Sequence, residues 1–190
     1  MTIKRIEHSK ADGVLKKIES AAAHDFLPII GPKKGALLAD EIRKTKPCHV
    51  LEVGTLIGYS AILMGKELDD KAEIVTIEIH REEAEQAGEN ISSALIQPKI
   101  KIITGNAIEV IPTLQGKFDF VFIDAEKIEY LQYLKLAEPK LVKGTVVFAD
   151  NAGFFAEQMQ DYLNYVRNSD RYISRYVQVG EDGAEISVRL

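Results

Sequence analysis

The chain has 190 residues, of which 46% are hydrophobic and 28% charged, and a formal net charge of −5. A chain of this length folds as one domain that removes roughly 70% of its unfolded surface from water. The acidic balance disfavours a dedicated nucleic-acid-binding domain, because such domains are basic, and the single cysteine excludes an internal disulfide.

No signal-peptide pattern and no apolar run of transmembrane length is visible, so we predict a cytoplasmic protein without a membrane partner. The charge is unevenly distributed. Residues 1–46 hold ten Lys and Arg against six acids, which gives +4 and leaves −9 for residues 47–190. A basic end can steer an anionic partner, although a solvated helix face is the commoner origin of such a segment.

The hydrophobic pattern switches between the periods of helices and strands. Two helices open the chain, one over 9–24 and one from Pro32, whose fixed φ suits a first helical position. Pro47 ends the second helix. The pattern then predicts strands at 49–54, 73–79, 99–105, 118–123 and 144–149, and helices at 60–68, 81–95, 107–114, 127–138 and 154–167.

Strands that alternate with helices predict parallel pairing through right-handed crossovers. The turn signal "EDG" at 181–183 separates two alternating runs and predicts a closing antiparallel hairpin. We therefore predict a three-layer α/β sandwich with a doubly wound, mostly parallel sheet of about seven strands. It forms one domain over 1–190, with N-terminal helices in 1–46 and the core in 47–190. Ligands of such sheets bind beyond the carboxyl ends of the strands, near the switch point in strand order.

The stretch "LEVGTLIGYS" leads from a buried strand through Gly54 and Gly58 into a helix. Glycine allows a tight turn and a close approach to a ligand, and helix N-terminal amides favour a negative group. The same spacing also serves helix packing. Glu78, which ends the next strand 24 residues after Gly54, is placed to accept hydrogen bonds from both ribose hydroxyls. Together these residues predict adenosine binding.

The adenosine cofactor is better predicted as a methyl donor than as a dinucleotide. A dinucleotide fingerprint has glycine at the position of Leu56, where a side chain would crowd a pyrophosphate. Glu52 places a carboxylate near the loop, where it suits the cationic end of S-adenosylmethionine. A nicotinamide-dependent dehydrogenase is the less favoured alternative.

Two acids and an amide follow neighbouring predicted strands. Asp124 ends one strand, and Asp150 and Asn151 end the next, so parallel pairing would bring these tips to about 5 Å from each other. Carboxylates this close destabilise each other, and a hard divalent cation such as Mg²⁺, Mn²⁺ or Ca²⁺ relieves the conflict. Each aspartate alone is also a common helix cap, so the metal prediction depends on the combination.

Lys127 lies three residues after Asp124. Beside a cation it can act as general base on a substrate hydroxyl that the metal acidifies. The alternative is a solvated lysine in the first turn of a helix. The corresponding chemistry is in-line transfer of a methyl group from a sulfonium to an oxyanion.

These motifs resemble the cation-dependent O-methyltransferases, the family of catechol O-methyltransferase and the caffeoyl-coenzyme A enzymes. The resemblance extends from "IIGPKKGALLADEIRKT" to the terminal hairpin and implies a Rossmann-like methyltransferase fold and a homodimer. It implies the catalytic residue Lys127 and the metal ligands Asp124, Asp150 and Asn151. The cofactor-binding residues that it implies are Glu52, Gly54, Thr55, Gly58, Tyr59, Ser60, Glu78, Ile79, Asn106, Ala107 and Asp124.

The chain also departs from the catechol enzyme. After Asp124 that enzyme has a histidine and a tryptophan, whereas this chain has Ala125 and Glu126 and no tryptophan at all. Aromatic gating by a tryptophan is therefore not expected here.

The stretch after Asn151 is predicted to enter a helix almost at once, which would leave the acceptor pocket open. Phe154, Phe155 and Tyr130 are the aromatic residues near it, and core packing is the expected role of at least one of them.

The favoured function is divalent-cation-dependent methyl transfer from S-adenosylmethionine to a hydroxyl of a small, catechol-like aromatic. An alternative with the same chemistry is O-methylation of a hydroxylated wobble uridine in tRNA, with the basic residues of 1–46 on the phosphates. A non-catalytic sensor of S-adenosylmethionine is a further alternative.

Overall fold

The computed structural model describes residues 3–25 and 27–190, with side chains from residue 9 onward. Lys4 and Arg5 of the basic segment therefore have side chains outside the described residues. The helices are α1 Ile3–His24, α2 Gly31–Thr45, α3 Tyr59–Glu67, α4 Arg81–Ala94, α5 Ala107–Thr113, α6 Tyr130–Ala137 and α7 Gln160–Asn168. The strands are β1 His49–Val53, β2 Glu73–Glu78, β3 Lys99–Thr104, β4 Phe118–Ile123, β5 Leu141–Ala149, β6 Tyr172–Val179 and β7 Asp182–Arg189.

The strands form a seven-stranded sheet in the order β3-β2-β1-β4-β5-β7-β6. The first five pair in parallel, and β7 pairs antiparallel with both β5 and β6. The predicted mostly parallel sheet and closing hairpin are thereby confirmed. The strand order reverses between β1 and β4, so their carboxyl ends form the switch point where a ligand is expected.

Apolar cores cover both faces of the sheet, which confirms the three-layer sandwich. In β4, Phe120 and Phe122 pack into the core shared with α1 to α4, whereas Val121 and Ile123 pack into the core shared with α5 to α7. A parallel strand that is buried on both faces needs apolar residues at successive positions, and the run "FVFI" supplies them.

Four element boundaries differ from the sequence prediction by three residues or more. Helix α6 begins at Tyr130 instead of residue 127, after a 3-10 turn over Lys127–Glu129. Helix α1 begins at Ile3 instead of residue 9. Strand β5 begins at Leu141 instead of residue 144, because Leu141 already pairs with Phe118 ahead of a register shift. Helix α7 begins at Gln160 instead of residue 154, and turns occupy residues 150–159. The chain therefore does not enter a regular helix directly after Asn151.

None of the helices that the structure describes is both long enough and apolar enough to cross a membrane.

Candidate active site

A cavity of about 480 Å³ lies at the carboxyl ends of the central strands. Its volume is within the range typical of small-molecule sites. The wall includes most of the predicted cofactor residues, namely Gly54, Thr55, Tyr59, Ser60, Glu78, Ile79, Asn106, Ala107 and Asp124. The parallel register thus brings four separate sequence motifs to one cavity.

At Gly54 the backbone of the loop after β1 lies close to the backbone that follows β4. The φ of Gly54 is +97°, and a Cβ at this position would lie 2.1 Å from the carbonyl oxygen of Asp124. The predicted cofactor residue Gly58 is placed differently. It is outside the cavity wall, and its Cβ would lie 3.3 Å from atoms of Ala87 and Ile91 in α4. Gly58 therefore shapes the loop and packs against α4.

Glu52 lies behind the cavity wall and is fully buried. The hydroxyl of Ser60 donates a hydrogen bond to its Oε1, while Oε2 has no hydrogen-bond partner among the described residues. Burial raises the pKa of Glu52 to about 7, and the charges of Asp124 and Glu78 add to the rise. Glu52 is thus a buried carboxyl that supports Ser60 from behind.

Glu78 is fixed at the cavity wall by two backbone amides. Leu56 N–H donates to its Oε2 at 2.7 Å, and His80 N–H donates to its Oε1 at 3.0 Å. The bond from the Leu56 amide attaches the loop after β1 to the end of β2. Leu56 has a φ of +47°, a conformation that is unusual for this residue type. The carboxylate keeps lone pairs that can accept from a ligand.

Glu78 also belongs to a cluster with His80 and Glu83. One potential ligand atom of each residue lies within 4.8 Å of the other two. Burial raises the pKa of Glu83, and the neighbouring charge of Glu78 adds to this effect. Glu78 is therefore a candidate to bind either a ribose or a cation, and a binding experiment with each can distinguish the two.

The adenine-side residues lie at the start of α5. The Asn106 side chain accepts a hydrogen bond from Ile108 N–H at 2.9 Å and so caps this helix. Ala107 is buried beside it, whereas Ile79 is 58% exposed. Asn106 and Ala107 thus form a fixed wall, and Ile79 lies where the cavity meets solvent.

The two strand-end aspartates lie at the adjacent ends of β4 and β5, and of the two only Asp124 lines the cavity. Asp150 N–H donates to the carbonyl of Ile123 at 3.0 Å, which aligns the end of β5 with the end of β4. Asp150 is 1% exposed, and its Oδ1 has no hydrogen-bond partner among the described residues. Burial raises its pKa to about 7, the charge of Asp124 adds to the rise, and Lys34 opposes it. An unpartnered buried oxygen beside a second carboxylate fits a hard divalent cation.

Asn151, the third predicted metal ligand, has a φ of +63°. Asparagine tolerates this left-handed conformation better than most residues. Its Nδ2 donates a hydrogen bond to Asp182 Oδ2 at 3.0 Å. The side-chain oxygen, Oδ1, is the end of the amide that this bond leaves for another partner. The structure therefore brings Asp124, Asp150 and Asn151 to adjacent strand ends.

Lys34 and Asp182 are two charged residues of this region that sequence reasoning missed. Lys34 Nζ donates to Asp150 Oδ2 at 2.8 Å and to Asp182 Oδ2 at 2.7 Å. Burial favours a higher pKa for Asp182, but hydrogen bonds from Lys34, two backbone amides and Asn151 outweigh it and lower the pKa to about 2. A lysine in the first turn of a helix opposes the helix dipole, and this was the available signal for Lys34.

Lys127 lies in a 3-10 turn, Lys127–Glu129, directly after Asp124 and its neighbours. Its Nζ donates to Asp124 Oδ1 at 3.0 Å, to the carbonyl of Ala125 at 2.9 Å and to the hydroxyl of Tyr130 at 3.0 Å. Its side chain is only 14% exposed. The ammonium group is therefore held beside the strand-end acids and does not extend into solvent.

The aromatic residues that were predicted near the acceptor pocket differ in their exposure to solvent. Tyr130 is fully buried and packs edge-to-face against Tyr162, with ring centroids 5.8 Å apart, so its ring belongs to the core. Phe154 is 64% exposed and Phe155 is 37% exposed. The Phe155 ring centroid lies 5.8 Å from Lys127 Nζ. The two phenylalanines are thus the aromatic residues that an acceptor could contact.

Further cavity residues were not singled out from the sequence. They include Pro28, Ile29 and Ile30 from the loop before α2, His80 from the loop after β2, and Tyr133 from α6. The positions of the residues before α2 and in α6 depend on how these helices pack across the strand ends, which no local pattern specifies.

Comparison with known proteins relates the whole chain to one enzyme family. A family model described as O-methyltransferase matches residues 6–178. Catechol O-methyltransferase B of Danio rerio is 35% identical over an alignment of 191 positions, which covers 93% of this chain and 72% of that protein. Catechol O-methyltransferase of Sus scrofa is 32% identical, over 84% of this chain and 91% of that protein. In fold, the chain matches the O-methyltransferase of Bacillus cereus solved with SAH, with a TM-score of 0.85, 24% identity, and coverage of 94% and 91%.

Proposed function

The chain belongs to the O-methyltransferase family, and we propose that it transfers the methyl group of S-adenosylmethionine to a hydroxyl of a small, catechol-like aromatic with the help of a divalent cation. The predicted enzyme class, an S-adenosylmethionine-dependent O-methyltransferase, is confirmed by this membership, and the dehydrogenase alternative is wrong. The observation that carries the finer proposal is the meeting of Asp124, Asp150 and Asn151 beside Lys127 at adjacent strand ends.

The methyl donor is proposed to occupy the 480 Å³ cavity. Glu78, already oriented by two backbone amides, would accept the ribose hydroxyls, and Asn106 and Ala107 would flank the adenine. Ser60 and the backbone around Gly54 would contact the methionine end, close to Asp124. This orientation directs the sulfonium methyl towards the strand-end acids, where the acceptor must bind.

The cation is proposed to bind Asp124, Asp150 and Asn151. The unpartnered buried Oδ1 of Asp150 supports this assignment, because such an oxygen destabilises the protein unless a cation or a donor satisfies it. When bound, the cation would polarise the acceptor hydroxyl and make it more acidic. We propose Mg²⁺, because oxygen-only ligands and open positions for substrate suit it; Mn²⁺ and Ca²⁺ are the alternatives.

Lys127 Nζ is proposed to accept the hydroxyl proton as a neutral amine, so the ammonium that donates three hydrogen bonds in this structure must first release one proton to solvent. The acceptor oxygen then attacks the methyl carbon, the carbon–sulfur bond breaks, and S-adenosylhomocysteine leaves. Asp124 and the carbonyl of Ala125 hold Nζ in place, and the Tyr130 hydroxyl supports it from the core side. Orientation of this kind contributes much of the rate in transfers where the protein forms no covalent bond.

The exposed phenylalanines favour a flat, apolar acceptor. Phe154 and Phe155 lie on the turns after Asn151, and Ile128, which is 64% exposed, lies in the turn that holds Lys127. These side chains would line both sides of a small ring whose hydroxyls face the cation. Three of the basic residues that a tRNA backbone was predicted to contact, Lys34, Arg43 and Lys44, form ion pairs within the chain, which does not favour the tRNA alternative.

Transfer of radiolabelled methyl from S-adenosylmethionine tests the proposal. A panel of catechols and bulk unmodified tRNA are offered in parallel, each with Mg²⁺ or with EDTA. We expect label in catechols that EDTA abolishes. Label that EDTA leaves unchanged would contradict the cation's role, and label confined to tRNA would replace the proposed acceptor.

A further inference from the structure

The aspartate of the terminal hairpin turn lies far from the site in sequence but contacts it directly. Asp182 is the first residue of β7 and is 6% exposed. Its carboxylate accepts hydrogen bonds from four groups outside its own hairpin: Lys34 Nζ at 2.7 Å, Asn151 Nδ2 at 3.0 Å, Gly153 N–H at 3.1 Å and Phe154 N–H at 2.9 Å. Nothing in the proposed reaction uses this carboxylate.

The two oxygens of Asp182 have different partners. Oδ1 accepts hydrogen bonds from the backbone amides of Gly153 and Phe154, so it holds the turn that follows the strand-end ligands. Oδ2 accepts hydrogen bonds from the side chains of Lys34 and Asn151. A single carboxylate therefore links the acceptor-side turn, the amide ligand and the lysine of α2.

The bond to Asn151 determines which end of the amide faces the strand-end acids. With Nδ2 engaged by Asp182, Oδ1 of Asn151 is the end left for a cation. Loss of the negative acceptor would let the amide rotate and present its N–H₂ group, which repels a cation and cannot coordinate it.

The bond to Lys34 acts on Asp150. Lys34 Nζ lies 2.8 Å from Asp150 Oδ2 and 2.7 Å from Asp182 Oδ2, so the ammonium is shared between the two carboxylates. This arrangement occupies one oxygen of Asp150 and leaves the unpartnered Oδ1 for a ligand. The charge of Asp182 also offsets that of Lys34, which would otherwise oppose a cation at Asp150.

The backbone accommodates this carboxylate closely. A Cβ on Gly153 would lie 2.9 Å from Asp182 Oδ1 and 2.6 Å from the hydroxyl oxygen of Tyr176. Glycine at this position therefore lets the turn approach Asp182 and form both amide bonds.

We propose that Asp182 is a positioning residue of the cation site, which orients the Asn151 amide through Oδ2 and restrains Asp150 through Lys34. The inference rests on the proposed function, because it concerns the same cation. Outer partners of this kind are expected to change metal affinity by roughly 10- to 100-fold.

Calorimetric titration of Mg²⁺ into the metal-free full chain, with S-adenosylmethionine binding measured in parallel, tests the assignment. We expect Asp182→Asn to weaken Mg²⁺ binding by roughly 10- to 100-fold and to leave S-adenosylmethionine affinity within about threefold. Glu181→Gln is the matched control, because it removes the same charge from the exposed neighbouring position of the turn and should bind like the wild type.

A double-mutant cycle with Asn151→Asp separates positioning from general stability. A carboxylate at 151 presents an oxygen to the cation in either orientation, so the role of Asp182 in orienting this side chain is removed. We therefore expect Asp182→Asn to weaken Mg²⁺ binding roughly tenfold less in the Asn151→Asp background than in the wild type. If Asp182→Asn does not fold, the double variant decides alone, by binding Mg²⁺ within about threefold of Asn151→Asp.

The contradicting outcomes are distinct. Wild-type Mg²⁺ affinity in folded Asp182→Asn would overturn the positioning role while leaving the proposed function intact. An equal loss of Mg²⁺ affinity in the wild-type and Asn151→Asp backgrounds, or failure of both Asp182→Asn variants to fold, would overturn it in favour of a purely structural role. Absence of Mg²⁺ binding by the wild type would instead overturn the cation in the proposed function, and this inference with it.

Discussion

Lys34 and Asp150 form a nearly buried ion pair, with Nζ 2.8 Å from Oδ2, that joins the start of α2 to the end of β5. The side chains are 14% and 1% exposed. Breaking such a pair by removing one partner leaves a charge without compensation in a region of low dielectric. Helix α2 is therefore part of the candidate active site and not only a cover for the sheet.

Asp150→Ala should abolish Mg²⁺-dependent methyl transfer and leave S-adenosylmethionine affinity within a few-fold. The reason is that Asp150 supplies the unpartnered oxygen of the cation site but does not line the cofactor cavity. Turnover and equilibrium cofactor binding are measured on the same preparation. Glu157→Ala, an exposed acid on the neighbouring turns, is the control, and equal loss of turnover and cofactor binding in Asp150→Ala would mean a structural role.

Glu78→Ala should show the opposite pattern. The loss of a carboxylate that accepts two ribose hydroxyls should weaken S-adenosylmethionine binding by roughly 10- to 100-fold, because bonds to a charged acceptor contribute about 1.5–3 kcal/mol each. Mg²⁺ affinity should be unchanged. Calorimetry with each ligand checks both, with the exposed Glu82→Ala as control; unchanged cofactor affinity would refute the ribose assignment.

Lys127→Met should lower kcat by about 10²- to 10⁴-fold, the usual contribution of a positioned general base, with cofactor and Mg²⁺ binding retained. Lys127→Arg should be similarly slow, because a guanidinium keeps its proton and cannot accept another. Single-turnover methyl transfer measures the effect, and Lys143→Met at an exposed position is the control. A fast Lys127→Arg enzyme would show that only the positive charge is needed.

Glu52 should make the metal-free protein less stable as the pH rises. Its folded-state pKa is raised by burial from 4.5 to about 7, so its contribution is complete below about pH 4.5 and is lost as the pH passes 7. The shift corresponds to roughly 3 kcal/mol. Charges of Asp124 and Glu78 face it, and Asp150 titrates in the same direction.

Urea unfolding in EDTA between pH 5 and pH 8 checks this effect. Glu52→Gln keeps the shape and can still accept the Ser60 hydroxyl, so it should flatten the decline relative to the wild type, whereas Glu157→Gln should not. Parallel pH profiles for Glu52→Gln and the wild type would contradict the assignment.

Gly54→Ala should destabilise the fold by about 3 kcal/mol or more. The new Cβ would lie 2.1 Å from the Asp124 carbonyl oxygen at a φ of +97°, and both the overlap and the conformation are unfavourable. Gly13→Ala is the matched control, since nothing lies within 4 Å of its Cβ and alanine favours the α1 helix by about 0.5–1 kcal/mol. Thermal unfolding compares the two, and equal effects would refute the steric argument.

The sequence was sufficient for the features that depend on local periodicity and on parallel register. Apolar runs and alternating patterns together located all seven strands, and parallel pairing then required Asp124 and Asp150 to meet, since each directly follows its strand. It was insufficient where a contact depends on distant packing. Lys34 and Asp182 are separated by 148 positions along the chain, and only the docking of α2 over the β5 and β7 ends brings them together.

The start of α7 shows a different kind of failure. Helical spacing begins at residue 154, but residues 150–159 form turns, and Gln160 is the first helical residue. The N–H groups of Phe155 and Met159 donate to the carbonyl four residues earlier, whereas those of Ala156 and Gln158 donate to the carbonyl three residues earlier, so no regular α-helical ladder forms.

Anomalous scattering from crystals grown with Mn²⁺ and S-adenosylhomocysteine tests the central claim most directly. The account predicts one dominant metal peak with oxygen ligands from Asp124, Asp150 and Asn151 at about 2.1 Å, the distance usual for a small divalent cation. A dominant peak at Glu78, His80 and Glu83, or no ordered peak at saturating Mn²⁺, would contradict it.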